Sequence, residues 1–189
     1  MMATMEPPGI TRHRRPFLAP VWVVLLALLF AAGIAYSFYR GATTTVVVLV
    51  PAGENEPGTI DDPPISAEGE GRAQRLAQLF GGGAGRGRLD ALYVSRERRA
   101  QQSAAPLAEL THLTPTVFSA SEAAATAGGL LHAHEGAAVL VIASSAALQQ
   151  FLQQLTGAGE LPQTAAAPDL LYIVSVPTFG RAHVLRLKY

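Results

Sequence analysis

From residue 41 onward the chain reads as an α/β fold, a three-layer sandwich with a mostly parallel sheet, preceded by one transmembrane helix. Three observations predict this. Short β-branched and aliphatic runs such as Val46-Val47-Val48-Leu49-Val50 and Ala138-Val139-Leu140-Val141-Ile142 read as strands buried on both faces, as in a covered parallel sheet. Such runs alternate with stretches of helical patterning, which implies a sheet with helices on both sides. Ahead of them, Phe17 to Tyr39 is apolar and free of charge, long enough as a helix to cross a bilayer core of about 30 Å.

The expected organisation is a tail over 1–15, a membrane helix over 16–40 and a folded domain over 41–189. Met1 to Ile10 carries Pro7-Pro8-Gly9 and reads as irregular. Pro16 and Pro20 suit a first helical turn, where a missing N–H costs little. Trp22 near one end of the apolar stretch, and Tyr36 and Tyr39 near the other, lie where aromatic belts form. Arg12, Arg14 and Arg15 before the stretch outnumber Arg40 after it, so the N-terminus is expected in the cytoplasm and the domain in the periplasm or outside the cell. Gly33-Ile34-Ala35 would also suit signal-peptide cleavage, but the apolar run exceeds the roughly 7 to 15 residues of such a segment.

Within the domain, strands are expected near 44–50, 89–94, 115–118, 137–142, 170–176 and 182–188. Helices are expected near 67–80, 97–110, 121–134 and 145–156, with Ser66 and Ser121 as N-caps. Gly81-Gly82-Gly83-Ala84-Gly85 follows a helix and lacks Lys-Ser/Thr, so it is a connection and not a phosphate loop. Pro177-Thr178-Phe179-Gly180 reads as a hairpin turn.

At 189 residues, 49% hydrophobic and 15% charged, the chain suits one compact domain plus an appendage. Its net charge is zero and its basic residues are all Arg except Lys188, so nothing supports nucleic-acid binding. Absence of cysteine excludes disulfides, thiolate chemistry and Cys-based metal sites. In open α/β sheets ligands bind beyond the carboxyl ends of strands. There the chain carries Pro51-Ala52-Gly53-Glu54 and Ala143-Ser144-Ser145-Ala146, in which only Glu54 is charged.

Four segments in order carry a resemblance: Val46 to Glu54; Pro63-Pro64-Ile65-Ser66 with Glu68-Gly69, before Gln74 and Leu76; Asp90 to Ser95 followed by Arg98 to Ala104; and Val139 to Ala146. Together they resemble the histidine phosphatase (phosphoglycerate mutase-like) superfamily from Thr44 to the C-terminus. The resemblance implies a site in which a histidine takes up a phosphoryl group while arginines and a second histidine hold its oxygens. Carried over, the nucleophile position is Ala52, its arginine neighbour Pro51 and the second histidine position Ser144, all without the required atoms. Arg99 and Glu54 match retained positions, and Glu122 is the candidate general acid by approximate position. Loss of a nucleophile typically costs on the order of 10⁶-fold, so the resemblance implies a catalytically degenerate member. Ser144 or Ser145 as a replacement nucleophile would need an adjacent base, and none is visible.

Other residues weigh less. Glu54, Asn55, Glu56, Asp61 and Asp62 read as a solvated acidic loop. His132 and His134 with Glu135 read as a solvated helix end, since i,i+2 spacing sends two imidazoles to different faces. Arg98, Arg99, Ser144 and Ser145 are candidates for binding an anion near a helix N-terminus. No cofactor and no metal are expected. The leading expectation is a membrane-anchored pseudo-phosphatase domain serving as a non-catalytic binding or structural subunit, its partners membrane lipid and neighbouring membrane protein subunits. The alternatives are a sensor of an anionic, phosphorylated small molecule and a residual phosphatase. The roughly five residues after Tyr39 reach at most ~18 Å, which keeps the domain near the bilayer.

Overall fold

The computed structural model describes residues 21–41, 43–53, 61–82, 88–157, 170–178 and 180–189. The chain divides into two units, Met1–Arg40 and Gly41–Tyr189. Helix α1 runs from Val21 to Gly41, ending at the boundary between the units, and every residue over 21–37 is exposed. Among the described residues no helix is long and apolar enough to cross a membrane. The side chains described in α1 end at Ser37, inside the expected span of 16–40.

The second unit follows the expected alternation: β1 (Thr44–Pro51), α2 (Ala67–Gly81), β2 (Ala91–Ser95), α3 (Arg98–Thr111), β3 (Thr116–Phe118), α4 (Ala123–Ala133), β4 (Ala138–Ala143), α5 (Ser145–Thr156), β5 (Leu170–Pro177) and β6 (His183–Lys188). The sheet order is β3-β2-β4-β1-β5-β6. Its first four strands are parallel, and β5 is antiparallel to both β1 and β6. The sheet is therefore mixed at this edge. Five residues join β5 to β6, too few for the crossover a parallel pair needs.

Two core layers explain the unbroken apolar runs of β1 and β4. Val47, Leu49, Val139 and Val141 pack with Phe118, Leu148, Phe151 and Leu152 under α4 and α5. Val48, Val50, Leu140 and Ile142 pack with Leu76, Ala100, Ala104 and Leu107 under α2 and α3. Successive residues of one strand thus serve opposite layers, each fully removed from water.

Local signals set most boundaries. Ser66 caps α2, its hydroxyl accepting from the Gly69 N–H at 3.2 Å. Ser121 is not a cap. Ser119 takes that role: its N–H and hydroxyl both donate to Glu122, at 2.9 and 2.6 Å, and a 3₁₀ turn over Ala120–Glu122 precedes α4. A Glu three residues after a serine makes the reciprocal box that Ser121 lacks. Gly157 ends α5 at φ 63°, a left-handed conformation suited to glycine. At the end of α4 His132 and Glu135 are exposed as expected, while His134 is partly buried, its Nε2 3.1 Å from the Tyr93 hydroxyl and the rings edge-on.

Candidate functional site

The strand order creates one crevice at the carboxyl edge. β1 and β4 are parallel neighbours, but the helix after β1 lies on one face of the sheet and the helix after β4 on the other. Chains leaving adjacent strands in opposite directions open a cleft between them, where α/β proteins place their ligands. Pro51 stands opposite Ala143, and the Ala52 N–H donates to the Ala143 carbonyl at 2.9 Å. Positions 52 and 144, remote in sequence, are thus brought side by side.

Among the described residues the space beside Pro51 is narrow. The Gly53 N–H donates to Ser103 Oγ at 3.0 Å, and that hydroxyl donates to the Arg99 carbonyl at 2.8 Å. Ile65, whose N–H donates to Gln102 Oε1 at 2.8 Å, lies so near that a Cβ on Gly53 would stand 2.8 Å from its Cδ1. On the remaining side the Arg72 guanidinium is buried, 3.7 Å from the Glu68 carboxylate. What remains between Pro51, Gly53, Arg72 and Ser103 is a void of about 10 Å³. That is about the space of one water molecule, too small for a phosphoryl group.

Arg99 does not face that void as a free cation. It is half-buried, and its Nη2 and Nε approach Glu97 Oε2 at 3.3 and 3.4 Å. It lines an open depression of about 420 Å³ with Asp62, Pro63, Arg96 and Glu97. Arg98 is exposed, and both carboxylate oxygens of Asp62 accept from its backbone N–H, at 2.9 and 3.1 Å. The α3 N-terminus expected to attract an anion therefore already holds the protein's own carboxylate. Asp61 and Asp62 are exposed, as a solvated loop would have them, and Asp62 also caps α3, while Glu54, Asn55 and Glu56 lie outside the described residues.

Ser144 is the N-cap residue of α5, buried, its hydroxyl making no capping bond, and Ser145 beside it is half-buried. Ser95, at the end of β2, is 1% exposed, and its hydroxyl has no hydrogen-bond partner among the described residues. The Arg99 guanidinium is thus paired with Glu97, while the Arg98 side chain is exposed, and no described base is bonded to Ser144 or Ser145. Glu122 is unsuited to be a general acid. The two Ser119 hydrogen bonds hold its carboxyl below the usual carboxylate range, so it stays ionised. Among the described residues no cluster of histidine and carboxylate side chains could hold a metal.

No family model matches the chain, and no curated protein matches it. Solved structures do. A protein histidine phosphatase, SixA, complexed with tungstate, is 17% identical, with a TM-score of 0.61 over 76% of this chain and 96% of that one. A mycobacterial glucosyl-3-phosphoglycerate phosphatase is 14% identical, with a TM-score of 0.59 over 75% of this chain and 97% of that one. A phosphoserine phosphatase from Entamoeba histolytica, in complex with 3-phosphoglyceric acid, is 13% identical, with a TM-score of 0.54 over 77% and 97%. What this chain shares with them is the fold, an α/β sandwich with a mixed sheet of the histidine phosphatase kind.

Proposed function

We propose that this chain is a membrane-anchored pseudo-phosphatase, a non-catalytic binding or structural subunit of a larger membrane protein complex. The observation that carries the reading is the carboxyl edge of the sheet. On a phosphatase fold, the nucleophile position is Ala52, with Pro51 and Ser144 where cationic groups would stand. The space beside Pro51 holds about one water. Without an attacking atom at position 52 phosphoryl transfer lacks its nucleophile, and the buried Arg72 beside that space, 3.7 Å from the Glu68 carboxylate, has none to serve.

The anchor is read from Phe17 to Tyr39 and supported by α1, whose residues before Arg40 carry no charge and are apolar on every face. An apolar surface all around a helix matches lipid or a protein core and not water. The arginine excess before the stretch puts the N-terminus in the cytoplasm and residues 41–189 in the periplasm or outside the cell. The roughly five residues after Tyr39 reach at most ~18 Å, so lateral contact with a neighbouring membrane subunit is geometrically easy.

The test is mild-detergent extraction of native membranes, followed by size separation and mass spectrometry. Stoichiometric co-migration with a defined set of membrane proteins is expected, and migration alone would overturn the reading. One observation favours a second reading, the sensing of an anionic small molecule: Arg96 and Arg99 line an open depression large enough for one. Asp62 and Glu97 line it too, which weakens its field for anions. No stabilisation by millimolar phosphate or phosphosugars in a thermal-shift panel would remove that reading.

A further inference from the structure

We draw no further inference here: the strongest candidate, the apolar trough of about 670 Å³ between α2 and the β5–β6 edge of the sheet, carries nothing, because nothing among the described residues shows what covers it.

Discussion

Ala52 and Tyr172 show how much chemistry rests on single atoms. Ala52→His would supply a nucleophile, but Pro51 and Ser144 offer no charge and the neighbouring void, which Arg72 lines, is about one water in size. The variant is expected to give no p-nitrophenyl phosphate turnover and no acid-labile phosphoprotein. An acid-labile label at position 52 would show the pocket to be competent. Tyr172 is 3% exposed and its hydroxyl has no hydrogen-bond partner among the described residues. Tyr172→Phe removes that unsatisfied group and is expected to stabilise the fold by about 1 kcal/mol in urea unfolding. Burial raises the Tyr172 pKa above the ordinary tyrosine value, and nearby Arg186 opposes this more weakly. The unfolded chain therefore ionises first, and stability is full below about pH 10 and falls as pH rises from there through the folded pKa. Tyr172→Phe should flatten that loss in alkaline melts. The sequence made positions 51, 52 and 144 legible because strand ends are local features. Asp62, Ile65 and Arg72 were not legible as site residues, because their roles depend on contacts across the fold, such as the 36 residues separating Asp62 from Arg98.

Elements were read well where their signals were local. Ser66 followed by acidic residues gave the start of α2, and the buried stripe of Ala100, Ala104 and Leu107 kept α3 helical through Pro106. That proline offers no N–H to the Gln102 carbonyl, a cost that packing on both core-facing turns outweighs. Two serines precede Glu122, and only spacing in the folded turn selects Ser119 over Ser121. At the head of α3, Glu97 gives no side-chain cap, and Asp62 does the capping from another loop. Asp62→Ala is expected to cost about 1 kcal/mol by urea unfolding, while leaving a free N-terminus beside Arg96 and Arg99. If the depression can hold an anion at all, this variant should gain stabilisation by millimolar phosphate that the wild type lacks. No gain in a thermal-shift assay would show that Asp62 is not what excludes the anion.

At the scale of the whole chain, strand and helix alternation made the three layers legible, but not the order β3-β2-β4-β1-β5-β6. Order depends on which crossovers skip a strand, and nothing in the pattern of one strand names its neighbour. The same gap hid the exposure of β6 along its whole length, since β6 reads as an ordinary strand until its neighbours are known. The proposed orientation across a membrane, by contrast, rests on charge alone. Arg12, Arg14 and Arg15 precede the apolar stretch, and moving such charges across a bilayer is costly. With no native cysteine, Gln149→Cys on the exposed side of α5 reports one site alone. A membrane-impermeant maleimide is expected to label it in intact cells as fully as in lysed ones. Labelling only after lysis would put residues 41–189 in the cytoplasm, reverse the charge argument, and confine the chain's partners to that side of the membrane.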